Sequence, residues 1–300
     1  MVKRRAPDLH ALVDSWELSL RAQRKSPETV KTYRTGVEQY LDFCREHDRP
    51  LIIDKSNVNA FTAHLLDAGR EATTVRSRQL GVRRFSEWLA DEDEIPTDPL
   101  TGIKSPKLDD KVVHPLTDDQ LRDLLKACAG RELRERRDTA LIRFMVETGT
   151  RAGEIVGLLV SDVDLKAGVA VVRRGKGGKG RSVPFGPQTG QAIDRYMRVR
   201  REHRLAGTDA LWLGDRGKGF SYDGLYRSLT YRARLAGLEG FHPHQLRHTA
   251  AHRWLAAGGS EGGLMAVAGW TRPDMLQRYT KARAAERAAA EARDLNLGDL

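Results

Sequence analysis

The sequence predicts a mainly α-helical protein in two parts: a helical domain over residues 1–95 and, after a linker at 96–115, an α-rich domain over 116–300 carrying a small β-hairpin. Three observations predict this. Apolar residues recur at helical spacing through residues 8–91. Four of the eleven prolines, Pro96, Pro99, Pro106 and Pro115, fall in one short stretch. Beyond it, the two short runs "GVAVVRR" and "RSVPF" flank the glycine-rich "GKGGKG", the pattern of two strands joined by a turn.

The elements follow in order. "SPETVKTYRTGVEQYLDFCREH" opens with Ser26 as cap and Pro27 as first helical residue, and its apolar positions are Val30, Tyr33, Val37, Tyr40 and Leu41. "VNAFTAHLLDAG" follows and stops at Gly69. "TTVRSRQLGVRRFSEWLADE" buries Val75, Leu80, Val82, Phe85, Trp88 and Leu89, and carries Arg76, Arg78, Arg83 and Arg84. These arginines form either a solvated face or a helix lying along a phosphate backbone. In the second part, "LTDDQLRDLLKACAG" is a helix capped by Thr117, and "RRDTALIRFMVETG" is an apolar, buried helix. Helices dominate again from about residue 187 to the end, and the Ala/Arg/Glu-rich tail is expected to be helical to about Arg293.

Charge separates the two parts. The net charge is +10; residues 1–110 hold 18 Lys+Arg against 19 Asp+Glu, whereas residues 111–300 hold 33 against 22. A basic second domain favours a polyanionic partner. Two cysteines, Cys44 and Cys128, with no C-x-x-C, fit a reducing compartment, and a cytoplasmic, nucleoid-associated protein is expected. Asp14 and Glu17 interrupt any signal-peptide core, and no run of 18 apolar residues predicts a membrane span.

The chemistry concentrates in four short motifs. In "ETGTRAGEI", Gly149 ends one helix, Thr150 is placed to cap the next, and Arg151 stands in its first turn. A cation there opposes the helix dipole, so Arg151 either pairs with Glu154 or faces an anion together with the helix N-terminus. In "RRGKGGKGRS", Arg173, Arg174, Lys176, Lys179 and Arg181 surround a turn that is either a solvated basic loop or a hairpin reaching into DNA; it is not a nucleotide-phosphate loop, because no Ser or Thr follows a Gly-Lys pair at the required spacing. In "FHPHQLRHTAAHRW", His244 and Arg247 share a helix face, with His242 a possible cap and Pro243 in the first turn. A metal reading of the His244/His248 or His248/His252 spacing lacks the adjacent glutamate and any further ligand cluster. In "MAVAGWTRPDMLQRYTKA", a turn at Gly269 and Trp270 precedes Tyr279, whose plainest role is packing.

Arg151, the lysine hairpin, "HQLRH" and "GW…RY" in this order resemble the tyrosine recombinases, the phage integrase family, in the size class of Xer- and Cre-type enzymes. The resemblance covers nearly the whole chain. It implies a SAM-like helical core-binding domain followed by a catalytic domain with the DNA breaking–rejoining fold. It implies Tyr279 as nucleophile, Arg151 and Arg247 as holders of the scissile phosphate, and His244 as an aid to proton transfer. Lys176 is implied as the acid for the leaving oxygen, with Lys179 the alternative. Trp270 stands where most members carry His and some carry Trp; its N–H and ring suit a supporting role. His248 matches the family's box and reads as structural, and His252 as a surface residue. Arg76, Arg78, Arg83, Arg84, Arg173, Arg174, Lys179 and Arg181 become candidate DNA contacts.

The residue types suit that chemistry. Two guanidinium forks match the charge that builds on two phosphate oxygens. A tyrosine hydroxyl, with a pKa near ~10, needs cationic neighbours to attack at neutral pH. No cofactor and no metal are implied. The expected partners are double-stranded DNA with inverted-repeat half-sites, further copies of the chain in a tetramer on two DNA sites, and accessory bending or directionality factors; no membrane is expected. Two other readings stand beside this one: a type IB topoisomerase-like enzyme, and a DNA-binding protein without catalysis.

Overall fold

The computed structural model describes residues 7–108, 113–173 and 180–272, together with 276 and 293. The chain divides into two compact units, Met1–Lys111 and Val112–Leu300.

Among the described residues the first unit has four helices: α1 (Leu9–Ala22), α2 (Pro27–Glu46), α3 (Lys55–Asp67) and α4 (Ala72–Asp91). Three begin at side-chain caps. Asp8, Ser26 and Asp54 accept the backbone N–H of Ala11, Thr29 and Asn57, each satisfying a donor the helix leaves open. The apolar faces meet around Trp16, Val37, Tyr40, Leu41, Phe61, Val82, Phe85 and Leu89, all nearly inaccessible. Helices α2 and α4 cross in near backbone contact. A Cβ at Gly36 would lie 2.6 Å from the carbonyl oxygen of Arg78, and one at Gly81 would lie 2.6 Å from that of Tyr33. Leu100 and Ile103, within the stretch expected to be linker, are buried in this core. Asp98 fixes the approach by accepting Ser86 Oγ at 2.5 Å and the Leu100 N–H at 2.9 Å.

The second unit begins with α5 (Asp118–Lys126), opened by a reciprocal Thr117–Gln120 capping box, and α6 (Leu133–Thr148). Then come α7 (Ala152–Val156) and an antiparallel sheet of β1 (Val163–Asp164), β2 (Val169–Val172) and β3 (Arg181–Pro184) in that spatial order. The register pairs Ala170 with Val183 and Val172 with Arg181, so Ala170, Val172 and Val183 face the core. The short β1 is a strand the sequence reading did not contain. The hairpin turn at 174–179 and the expected tail helix, Arg293 aside, lie outside the described residues. Helices α8 (Pro187–Arg200), α9 (Tyr222–Leu235), α10 (His244–Ala256) and α11 (Glu261–Ala268) follow among the described residues. Its main core gathers Leu124, Leu141, Phe144, Ile155, Tyr196, Trp212, Leu225 and Leu246. Asp138, fully buried on α6, accepts Arg137 Nη2 at 2.9 Å and Arg232 Nε at 2.9 Å, joining α6 to α9. A carboxylate so deep is tolerated because two guanidinia and the Ser228 hydroxyl satisfy it.

Candidate active site

The site grows from the end of α6. Gly149 turns the chain with φ +62°, a conformation that favours glycine. Thr148 and Thr150, both buried, are joined through their hydroxyls, and the Thr148 hydroxyl also donates to the Phe144 carbonyl at 2.7 Å. The following residue, Arg151, takes the cap position of α7 that the sequence reading gave to Thr150. Its backbone N–H donates to Glu154 Oε2 at 2.9 Å, its Nη1 to Glu154 Oε1 at 2.8 Å, and its Nη2 to the Gly269 carbonyl at 3.4 Å. The Arg–Glu pair is therefore present, yet the Arg151 side chain keeps 27 % of its surface exposed.

Glu154 holds a second cation. Arg181, at the start of β3, donates Nη1 to Oε1 at 3.0 Å and Nη2 to Oε2 at 2.8 Å, a bidentate fork, while its Nε donates to the Val267 carbonyl at 2.8 Å. Burial alone would raise the Glu154 pKa; the hydrogen bonds from Arg181 and Arg151 outweigh it and hold the carboxyl at about 2.

Helix α10 brings in the other pair. Pro243 occupies its cap position, with no side-chain cap, so His242 does not cap it. Arg247 is 2 % exposed. It donates Nη1 to the Gly149 carbonyl and Nη2 to the Ala268 carbonyl at 2.8 Å, and its guanidinium carbon sits 5.3 Å from the centre of the Trp270 ring. His244 is exposed one turn before it, with its ring edge-on to His248 at 4.7 Å. Arg151, Arg247, His244, Glu154, Thr150 and Tyr222 line one open cleft of about 390 Å³. Two of the sequence motifs, the one around Arg151 and the one around His244 and Arg247, thus meet at one concavity whose walls carry two guanidinia, an imidazole and the Glu154 carboxylate. Among the described residues no group of three or more His, Cys, Asp or Glu is arranged to hold a metal ion.

The histidines of α10 differ in character. Burial, followed by the neighbouring His244, His242, His252 and Arg247, lowers the His248 pKa to about 4, so it is neutral at physiological pH. Trp270 is 5 % exposed and belongs to a small satellite core with Ala251, Leu255, Leu264, Ala268 and Leu276.

The remaining candidates fall into three groups. Tyr279, Lys176, Lys179 and Arg174 lie outside the described residues. Arg173 pairs with the buried carboxylate of Asp162, and Arg181, read from sequence as a DNA contact, is engaged inside the protein. In the first unit, Arg76 is exposed and Arg83 half-buried, Arg84 pairs with Glu87 at 2.5 Å, and Arg78 Nη1 donates to the Thr32 carbonyl at 3.4 Å. The sequence reading missed Tyr222, which enters the cleft from the first turn of α9, and nothing in its local sequence marks it.

Comparison with known proteins places this architecture. Residues 13–93 match the phage integrase N-terminal SAM-like domain, and residues 114–286 match the phage integrase family. The chain is 32 % identical over 264 residues to the tyrosine recombinase XerC of Roseiflexus castenholzii, an alignment covering 85 % of this chain and 83 % of that protein. It superposes on the crystal structure of the XerA recombinase with a TM-score of 0.52 at 25 % identity, covering 91 % of this chain and 94 % of that one. A lambda integrase tetramer bound to a Holliday junction shares the fold, with a TM-score of 0.67 at 18 % identity over 88 % of this chain and 77 % of that one. The fold and cleft define a two-part DNA strand-transfer protein: a SAM-like helical unit followed by an α-rich catalytic unit. The chain belongs to the phage integrase family, and it is a tyrosine recombinase, an enzyme of site-specific DNA recombination.

Proposed function

We propose that this recombinase cuts one DNA strand by attack of the Tyr279 hydroxyl oxygen on a phosphorus atom seated in the cleft between Arg151 and Arg247. The bond from Tyr279 Oη to phosphorus forms as the hydroxyl gives its proton to His244, and the bond from phosphorus to the 5′ oxygen breaks. The leaving oxygen takes a proton from Lys176, with Lys179 the alternative in the same turn. The product is a 3′-phosphotyrosine, which keeps the free energy of the phosphodiester. A 5′ hydroxyl from the partner strand then attacks it, so rejoining consumes neither ATP nor metal. Arg151 and Arg247 neutralise the non-bridging oxygens, His244 assists proton transfer, and Trp270 backs the Arg247 guanidinium.

The observation that carries this reading is the convergence of Arg151, Arg247 and His244 on one anion-shaped cleft. The same logic serves a type IB topoisomerase, but membership in the phage integrase family favours recombination between sites. A binder without catalysis could seat a phosphate on the same two arginines; kinship to tyrosine recombinases favours an enzyme. The working form on DNA is a tetramer across two inverted-repeat sites in the cytoplasm; of this, the tetramer is supported by the lambda integrase assembly of the same fold. Phosphate contacts of the basic second unit dominate affinity, so binding weakens steeply with salt.

The test is a covalent trap. Purified protein is incubated with nicked fragments of its own genome and quenched in SDS, and protein-linked DNA is sequenced beside Tyr279→Phe. Enrichment of one inverted-repeat site with the wild type alone supports the reading. Capture of every sequence points to a topoisomerase, and salt-sensitive binding without any capture removes Tyr279 as nucleophile.

A further inference from the structure

Arg181 was a DNA contact on sequence grounds, but the structure gives it other work. Its side chain is 12 % exposed, and all three nitrogens of its fork donate inside the protein: two to Glu154 and one to the Val267 carbonyl at the end of α11. The backbone is fitted around it. A Cβ at Gly269 would lie 2.9 Å from the Arg181 guanidinium carbon, and Gly269 has φ +65°, so only glycine fits this turn without strain. The neighbouring carbonyls of Ala268 and Gly269 accept from Arg247 and Arg151. Three elements thus meet at one guanidinium: β3, which the chain enters directly after the lysine turn; α7 with Arg151; and the Val267–Gly269 turn that also receives Arg247.

The charge count makes the arrangement meaningful. Arg151 alone with Glu154 is a neutral pair, and a neutral pair is a poor seat for a phosphodiester. Arg151 and Arg181 together with Glu154 leave one positive charge, and of the two cations the more exposed is Arg151, which lines the cleft. We propose that Arg181 is a positioning residue acting through Glu154: it takes up the carboxylate's charge, so that Arg151 keeps its own for the scissile phosphate, and it anchors the strand following the lysine turn to the same node. The inference rests on the recombinase reading above and deepens it. Arg181 touches no reacting atom in this role.

The test is a double-mutant cycle on the full chain with its own site, captured as above. Arg181→Lys and Arg181→Gln are made in the wild-type and Glu154→Gln backgrounds. Thermal unfolding is followed for each, and single-turnover covalent-complex formation is measured beside equilibrium DNA affinity. In the wild-type background, R181Q is expected to slow cleavage roughly 100-fold with affinity changed less than about threefold, the size of loss that a displaced or neutralised phosphate holder produces. R181K, which keeps the charge and loses the fork, recovers at least about tenfold of that loss. With Glu154→Gln there is no carboxylate to neutralise, and R181Q then costs less than about threefold further. The same loss in both backgrounds, with lower affinity and a salt slope reduced by about one, makes Arg181 a phosphate contact and overturns the proposal. Equal loss in R181K and R181Q removes the charge argument and overturns it equally. If R181Q does not fold, R181K still decides: the loss of the fork is expected to slow cleavage up to about tenfold where Glu154 is present and less than about threefold with Glu154→Gln, and an equal slowing in both backgrounds overturns the proposal. Wild-type protein that forms no covalent complex removes the recombinase reading itself, a result distinct from any pattern among the variants.

Discussion

Arg247 and Gly149 share a hydrogen bond across the second unit: the buried guanidinium donates Nη1 to the carbonyl of the residue that ends α6, two positions before Arg151. The second arginine of the cleft therefore also sets the backbone that presents the first. Arg247→Lys keeps the charge but cannot reach both the Gly149 and Ala268 carbonyls. We expect it to lower stability by about 1–3 kcal/mol, the worth of a lost charge-assisted hydrogen bond in a buried setting, and to slow cleavage by more than ~100-fold. Denaturant unfolding beside single-turnover cleavage checks both. An unchanged unfolding midpoint with lost cleavage would mean that Arg247 serves only the DNA.

Trp270 gives a graded prediction on the other side of that guanidinium. Trp270→Phe keeps an aromatic face under Arg247 and most of the packing with Leu255, Leu264 and Leu276. It is expected to cost less than about 1.5 kcal/mol and less than ~10-fold in cleavage, whereas Trp270→Ala costs about 3–5 kcal/mol. Cleavage lost equally in both variants would assign the indole N–H a direct part in the reaction.

The first unit offers a test independent of chemistry. Alanine at Gly36 or Gly81 places a methyl 2.6 Å from a carbonyl oxygen of the facing helix. Backbone cannot move aside as a side chain does, so α2 and α4 must separate. Each substitution is expected to destabilise by about 1–3 kcal/mol, although alanine is the better helix former. A melting temperature at or above the wild-type value for either variant would show that the crossing is looser than this contact implies.

What the sequence made legible follows from how local each signal is. Ser26, Pro27 and Thr117 act on their own helix ends, and their caps appear where the pattern put them. The two short runs flanking "GKGGKG" marked both strands, whose Ala170, Val172 and Val183 are buried on one face. Arg151, Arg247 and His244 were legible through family spacing, since each sits at a fixed place in its own motif. The internal partners of Arg181 were not legible for the opposite reason: Glu154 and Val267 are remote in sequence, and a basic residue beside a basic turn looks like a DNA contact. The Asp138 node with Arg137 and Arg232 was invisible for the same reason, because a charged residue in an apolar helix announces no partner. Leu100 and Ile103 were hidden by the prolines around them, which mark a break in helix and not a break in the core.

His248 supplies the pH dependence. Its folded pKa is about 4, lowered first by burial and then by His244, His242, His252 and Arg247 around it. The unfolded value is near ~6.5. Above pH ~6.5 both states are neutral at this group and it contributes no slope. As pH falls from there toward 4, the unfolded chain binds a proton that the folded chain refuses, so stability is lost across that window and the loss levels off below it. With solvent screening of a partly exposed ring, the loss is on the order of 1–2 kcal/mol. Urea unfolding at pH 7.5 and at pH 5 is expected to show this decrease, and His248→Asn, which does not titrate, is expected to remove much of it. An equal pH dependence in the variant would show that His248 is not the group that titrates.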